Sequence, residues 1–152
     1  MSVGIRDAVA ADVVAIVALL DQLSLGGERR ESADAYAYAR AFAAIAADPR
    51  QSLLVAELDG VVVGTATLIV IANLSHGGTA VAQLESVVVD AGRRGCGTGE
   101  ALVEECLRRA RAAGCFRAQL TSRNERVDAH RFWRRCGFVP THSGFKLRLS
   151  EG

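Results

Sequence analysis

The stretch RRGCGTG, residues Arg93 to Gly99, places three glycines and two arginines in seven positions. It follows the apolar run LESVVVD and precedes EALVEECLRRARAAG, which has the pattern of an amphipathic helix. Glycine between a strand and a helix disfavours folding, because it loses more conformational freedom than any other residue. The stretch therefore indicates that something approaches the backbone closely at this point.

A glycine loop between a strand and a helix presents backbone N–H groups and a helix N-terminus to an anion, so phosphate binding is the natural interpretation. Two well-known phosphate motifs do not fit. The dinucleotide pattern G-x-G-x-x-G, started at Gly95, ends on Glu100. Gly92 and Gly97 have the spacing of a P-loop, but Thr98 stands where that motif needs lysine.

The pattern that fits is R/Q-x-x-G-x-G/A, which Arg94, Gly97 and Gly99 match directly. Here the chain resembles the GNAT superfamily of N-acetyltransferases, and the resemblance covers nearly its whole length. Three further segments are similar to the family's first strand and helix, its second and third strands, and its late motif: IRDAVAADVVAIVALL, LVAELDGVVVGTATL and NERVDAHRFWRRCGF. The resemblance implies acetyl-CoA as cosubstrate, with its pyrophosphate over the glycine loop.

The same resemblance implies which residues bind acetyl-CoA: Val87, Val88, Val89, Arg93, Arg94, Gly95, Cys96, Gly97, Thr98, Gly99, Asn124 and Trp133. The three valines would pair through their backbone with the pantetheine arm, like an added strand. The loop would hold the pyrophosphate, with glycine at Gly97 and Gly99 because a side chain would keep phosphates away. Three of these residues also have a purely structural interpretation: Arg93 as a solvated charge, Cys96 as a spacer, and Asn124 as a loop cap.

Glu85 is the candidate general base, because an alkyl ammonium with a pKa near about 10 must lose a proton before it attacks a thioester. In LESVVV it is expected to share one strand face with Val87 and Val89. An acid in an apolar strand is unfavourable unless it is paired or functional. An acid followed by three valines resembles the branch of the family that acts on amino sugars. The competing interpretation is a strand-end glutamate paired with an arginine.

Trp133 departs from the family, in which many members have a tyrosine that protonates the departing thiolate. An indole N–H donates hydrogen bonds but does not titrate. Trp133 either fills that space beside the thioester or is simply part of the core. His130, one helical turn earlier, is the second catalytic candidate, against a surface or core histidine. This departure keeps an alternative function open, a CoA-binding module or sensor with little or no turnover.

The element pattern predicts one domain over residues 1–152, of the α/β (α+β) class. The expected fold is a mixed, mostly antiparallel sheet of six to seven strands, flanked by about four helices and splayed at the CoA site. Asp59-Gly60 predicts a hairpin turn, and Asp48-Pro49 ends a helix. A last strand pair is expected around FVPTHSGFKLRLS.

Composition restricts the partners. The formal net charge is only +1, so no broad field favours nucleic acid or a membrane surface. Four cysteines without C-x-x-C spacing predict neither a metal site nor a disulfide scaffold, and with no signal peptide evident we expect a cytoplasmic protein. The expected acceptor is a small-molecule or peptide amine. The loops SLGGERRES and NLSHGGTA, with His76, are expected to form its site. Because similar proteins are frequently dimers, a homodimer is a further expectation.

Overall fold

The structure, a computed structural model, describes residues 2–24 and 34–150. Its strands are β1 (Gly4–Asp7), β2 (Gln51–Leu58), β3 (Val61–Ile71), β4 (Val81–Val89) and β5 (Arg117–Gln119). Its helices are α1 (Val13–Asp21), α2 (Ala35–Ala47), the single turn α3 (Ser75–Gly78), α4 (Thr98–Ala112) and α5 (Val127–Arg135). Apart from Ser24, the predicted acceptor loop SLGGERRES lies outside the described residues.

The strands form one five-stranded sheet in the order β1-β2-β3-β4-β5. Each of the first four strands runs antiparallel to its neighbour, and β5 runs parallel to β4. The predicted mixed α/β sheet is confirmed, with five described strands where six to seven were expected. The predicted hairpin turn is also confirmed, because Asp59 and Gly60 have φ of 51° and 78°.

The two faces of the sheet carry different helices. One face packs against α4 and forms the main core, whose buried members include Leu54, Ala66, Leu68, Leu84, Leu102 and Val103. The other face carries α1 and α2, with Ile16 and Leu19 of α1 buried beside the sheet. Side chains alternate between faces along each strand, so Leu54 faces α4 and Leu53 faces the other layer.

β4 and β5 stay together only briefly. Their pairing is limited to Val81 with Arg117, Ala82 with Ala118 and Gln83 with Gln119. β5 then ends, whereas β4 continues to Val89. Among the described strands none lies beside this second half of β4 on the β5 side. The sheet is therefore splayed at the place where the sequence predicts the CoA site.

The expected last strand pair around FVPTHSGFKLRLS is wrong, because residues 139–150 contain no strand. Three alternating apolar residues of this tail, Phe145, Leu147 and Leu149, are 95%, 83% and 94% exposed. Gly144 lies against Thr121, just past the end of β5. Because β5 ends after three residues, it offers the tail few backbone groups with which to extend the sheet.

An ionic cluster fixes the chain entering α1. The guanidinium of Arg6 donates two hydrogen bonds to the Asp12 carboxylate, at 2.7 and 3.0 Å, and two to Glu57 Oε2. The backbone N–H of Val9 donates a third hydrogen bond to Asp12, at 2.8 Å. Asp12 is 7% exposed, and the hydrogen bonds from Arg6 are the main reason its pKa is lowered. The cluster thus joins β1, β2 and the start of α1.

Asp12→Asn should lower the free energy of unfolding by about 2 kcal/mol at neutral pH, because a charged acceptor is lost in a buried place. Since folding lowers the pKa of Asp12, its contribution is complete above the unfolded-state pKa of about 3.9 and disappears as pH falls through the folded value. Urea unfolding from pH 7 to pH 3 measures this. The exposed Asp128→Asn variant is the control; an Asp12→Asn deficit that persists undiminished at low pH would contradict the assignment.

Candidate active site

The glycine loop leaves the start of α4 open. Gly95 and Gly97 have φ of 80° and 79°, a left-handed conformation in which a side chain is strained, and a Cβ on either would meet nothing within 4 Å. The first hydrogen bond onto the loop runs from Ala101 N to Gly97 O, at 3.0 Å. The preceding N–H groups, of Thr98, Gly99 and Glu100, therefore stay available for an anion.

Gly99 is constrained by packing. A Cβ there would lie 3.0 and 3.1 Å from two ring atoms of Phe132 on α5. The need for glycine at this position thus follows from the close approach of α5 to α4. The reason inferred from the sequence, that a side chain would keep a phosphate away, applies better to Gly97, where a Cβ would meet nothing within 4 Å. The two glycines of the motif serve different purposes.

Gln22, which the sequence reasoning missed, holds the entry to the glycine loop. Its amide nitrogen donates to Asp90 Oδ1, and its amide oxygen accepts from the N–H of Ala91, both at 3.0 Å. These two bonds join the end of α1 to the end of β4. Such a contact cannot be predicted from a polar residue after an amphipathic helix, because the contact depends on the tertiary fold.

Three arginines gather near the loop, and two of them were also missed. Burial, together with the charges of Arg94 and Arg123, lowers the pKa of Arg126. The positive charges of Arg94 and Arg123 thus act on Arg126, and a group of like charges attracts an anion. Arg94 also reaches back to the carbonyl oxygen of Val89, at 3.4 Å. Arg93 ends a short 3-10 turn and is exposed, which leaves its expected role a prediction.

The loop after β5 carries Arg123 and Arg126 and is held by His130. The Nε2 of His130 donates to the carbonyl oxygen of Arg123, at 2.7 Å. This bond holds the imidazole against the loop, which is consistent with a positioning role for His130, and its catalytic role stays a prediction. Asn124 is exposed in the same loop, and Cys96 is exposed in the glycine loop, consistent with a spacer.

Trp133 lies in an aromatic cluster against the main core. Its ring centroid is 4.9 Å from that of Phe132 and 5.4 Å from that of Phe138, both edge-on. Such pairs stabilise packing by about 1 kcal/mol beyond the area they bury. The core interpretation of Trp133 is therefore supported, and it links the helix that touches Gly99 to the segment after Gly137.

A β-bulge changes the expected face of Glu85. Thr65 pairs with Val88 and Thr67 with Glu85, so β4 has one residue more than β3 between these pairs, and Ser86 takes φ of 52°. The expectation that Glu85 shares a face with Val87 and Val89 is wrong, because both valines pack on the α4 core. Glu85 shares the opposite face with Thr67, since directly paired residues lie on the same side.

Among the described residues, the carboxylate of Glu85 is held by an amide and by no arginine. Gln83 donates to Glu85 Oε1 at 3.0 Å, and Gln119 of β5 donates to Gln83 Oε1 at 2.9 Å. This series of hydrogen bonds begins at Gln83 and Gln119, the last residue pair before β4 and β5 diverge. Glu85 is exposed there and is in a position to accept a proton from a bound molecule.

Val87, Val88 and Val89 form the part of β4 that no described strand covers on the β5 side. Their side chains are buried or half-buried, so a ligand can contact only their backbone, in which the Val89 carbonyl oxygen already accepts a hydrogen bond from Arg94. Three residues past the end of β5, the Oγ of Ser122 is buried and has no hydrogen-bond partner among the described residues.

A cavity of about 230 Å³ lies on the α1 and α2 side of the sheet. Its lining includes Val13, Ile16, Val17, Leu20, Tyr38, Ala41, Phe42, Ile45, Leu53, Thr65, Thr67 and Ser86. Thr67 and Ser86 place it next to Glu85 and the bulge. His76, which the sequence suggested for the acceptor site, instead packs on Phe116, with ring centroids 4.2 Å apart, at the opposite end of β4.

Among the residues that the structure describes, no group of three or more metal-binding side chains is close enough to hold a metal ion. No helix in the same ranges is long and apolar enough to span a bilayer.

A family model described as the Acetyltransferase (GNAT) family matches residues 17–138. The chain belongs to the GNAT acetyltransferase family. It is 30% identical to the aminoalkylphosphonate N-acetyltransferase of Salmonella typhimurium over 145 residues, which are 95% of this chain and 90% of that one. It is 35% identical to the glucosamine 6-phosphate N-acetyltransferase of Trypanosoma brucei brucei over 90 residues, spanning only 59% of either chain.

The fold agrees with this family. The crystal structure of a Bacillus halodurans C-125 protein, described as a transcriptional regulator, is 33% identical and superposes with a TM-score of 0.90, covering 97% of this chain and 100% of that one. Membership of the GNAT family and the names of its curated relatives support an N-acetyltransferase.

The arginine cluster of this GNAT protein predicts that substitution of Arg126 lowers the affinity for CoA. Arg126→Gln should weaken binding of free CoA about tenfold or more, because one charge-assisted hydrogen bond contributes about 1.5–3 kcal/mol. Isothermal titration calorimetry measures it. Arg111→Gln, an exposed arginine near the other end of α4, is the matched control. Equal affinities for the two variants would show that the arginine cluster does not bind the phosphates.

Proposed function

We propose that this protein is an acetyl-CoA-dependent N-acetyltransferase that acetylates a primary amine of a small molecule. The observation that carries the proposal is the divergence of β4 from β5 beside an arginine-flanked glycine loop. The open edge of β4 suits the amides of pantetheine, and the loop and helix N-terminus suit a pyrophosphate.

Glu85 is the proposed general base. It is exposed at the bulge, paired with a threonine that lines the cavity, and oriented by Gln83. A carboxylate in this position would take the proton of the ammonium group, directly or through a water molecule, and leave a nucleophilic amine facing the thioester. The freed backbone N–H groups at the bulge would stabilise negative charge on the thioester oxygen.

Trp133 stands where many family members have the tyrosine that protonates the departing thiolate. A cysteine-like thiol has a pKa of only about 8.5, so departure without an acid is a modest penalty near neutral pH. Proton return from water or the amine therefore suffices. The aromatic packing of Trp133 and the hydrogen bond of His130 are the observations that favour the alternative, a CoA-binding module with little turnover.

Thiol release from acetyl-CoA across a panel of primary amines separates these two functions. The proposal predicts turnover in the unmodified protein and a drop of roughly 100-fold or more in kcat for Glu85→Gln, with a changed dependence of rate on pH. Glu104→Gln, an exposed acid on α4, should leave turnover unchanged. Tight binding of CoA without turnover of any amine would support the module; full activity in Glu85→Gln would reduce Glu85 to a structural acid.

We also propose a homodimer. The tail beyond Gly144 has the alternation of a half-buried strand, yet its three apolar side chains are almost fully exposed. Light scattering after size-exclusion chromatography should give twice the mass of the 16.1 kDa chain. Leu147→Asp, which puts a charge on the apolar face of the tail, should shift it to a monomer. Arg148→Asp, on the other face, is the control. A wild-type protein that is monomeric at micromolar concentrations would overturn the proposal.

A further inference from the structure

We infer that the acceptor is a primary amine on an apolar alkyl or aryl group, and that this group binds in the cavity between α1, α2 and the sheet. The inference rests on the proposed N-acetyltransferase function and adds the class of its substrate. It follows from the chemistry of the cavity walls and from which end of the cavity meets Glu85.

The walls from the two helices are apolar except for the hydroxyl of Tyr38. α1 contributes Ile16, Val17 and Leu20, and α2 contributes Phe42 and Ile45. Aliphatic and aromatic side chains of this kind offer no hydrogen bond to a hydroxyl or a phosphate. A polar group placed there would lose its water without replacement, which is unfavourable. An alkyl chain or a ring is stabilised by the same walls.

Most of the polar lining lies on the sheet, and Tyr38 of α2 adds one phenolic hydroxyl. Three hydroxyl-bearing residues line it there, Thr65, Thr67 and Ser86. The Thr65 hydroxyl donates to the carbonyl oxygen of Leu54, at 2.8 Å, so its proton is already used. Thr67 and Ser86 remain, and both adjoin Glu85, one as its strand partner and the other as its neighbour in sequence.

The cavity is therefore amphipathic and sets the orientation of its ligand. The amine nitrogen belongs at the sheet end, where Glu85 can take its proton. The rest of the molecule extends between α1 and α2. A volume of about 230 Å³ suits a small molecule and not a folded partner.

The described lining of the cavity carries no charged side chain. None of the lining residues named above is cationic. Arg40, on α2, lies over the ring of Tyr36 at 4.8 Å instead. The curated relatives are named for glucosamine 6-phosphate and aminoalkylphosphonate, whose anionic groups call for such a cation. The described walls favour an apolar group, while Arg29 and Arg30, between α1 and α2 in sequence, lie outside the described residues.

The first test compares kcat/KM for butylamine, hexylamine, 2-phenylethylamine, 2-aminoethylphosphonate and glucosamine 6-phosphate with saturating acetyl-CoA. Each methylene added between butylamine and hexylamine should raise kcat/KM about fourfold, the factor that corresponds to about 0.8 kcal/mol per buried CH₂. The two anionic amines should be at least tenfold poorer than 2-phenylethylamine. Higher kcat/KM for either anionic amine than for the apolar ones would overturn the inference while leaving the proposed function intact.

The second test uses a pair of variants on α2. Ala41 lines the cavity, and Ala43 is exposed on the other side of the helix. Ala41→Leu should weaken binding of hexylamine and 2-phenylethylamine at least tenfold, with a smaller effect on butylamine, because the added side chain occupies the cavity. Ala43→Leu should change none of these affinities.

Calorimetric binding of the same amines to CoA-saturated protein keeps this test independent of turnover. Weaker binding in Ala41→Leu alone supports the cavity as the site even if the chain does not catalyse acetyl transfer. Equal binding in both variants, or no binding of any apolar amine to the unmodified protein, would overturn the inference. Absence of thiol release with every amine would instead contradict the proposed function.

Discussion

The divergence of β4 from β5 is the constraint on which the rest of this molecule depends. The two strands share three residue pairs, and beyond Gln83 the backbone of β4 is left without a neighbour on that side among the described strands. Unpaired backbone N–H and C=O groups at the edge of an otherwise buried sheet are unfavourable unless another group forms hydrogen bonds with them. The pantetheine arm of acetyl-CoA is an occupant with the required amide groups. The glycine loop, the cavity and Glu85 all lie around this opening.

Several contacts keep the opening in shape. Gln22 fixes the entry to the glycine loop, His130 holds the loop after β5, and Phe132 packs against Gly99. The first and third of these contacts join elements that are distant in sequence, whereas His130 and Arg123 are only seven residues apart. Charge then concentrates at one end of the opening, where Arg94, Arg123 and Arg126 lie near one another. A neutral chain overall can thus present a locally basic site for phosphates.

The sequence was sufficient for the fold class and for the glycine loop, because both depend on local patterns. The Asp59-Gly60 turn and the positive φ at Gly97 follow from what those residues allow. The bulge at Ser86 could not be predicted, since serine carries no signal for a left-handed backbone, and the bulge moved Glu85 to the other face. The arginine cluster could not be predicted either. Arg94 and Arg126 are far apart in sequence, and they come near each other only when α5 packs on α4. Alternation in the tail predicted a strand, but a strand also needs an edge to pair with.

Hydrogen–deuterium exchange on the full chain, with and without saturating CoA, tests the central claim most directly. If the free edge of β4 and the start of α4 hold CoA, amide protection should rise in residues 86–89 and 95–100. The hairpin of β2 and β3 should serve as an unchanged reference. Protection that rises elsewhere while residues 86–89 and 95–100 exchange as before would contradict the claim that the divergence of β4 and β5 forms the binding site.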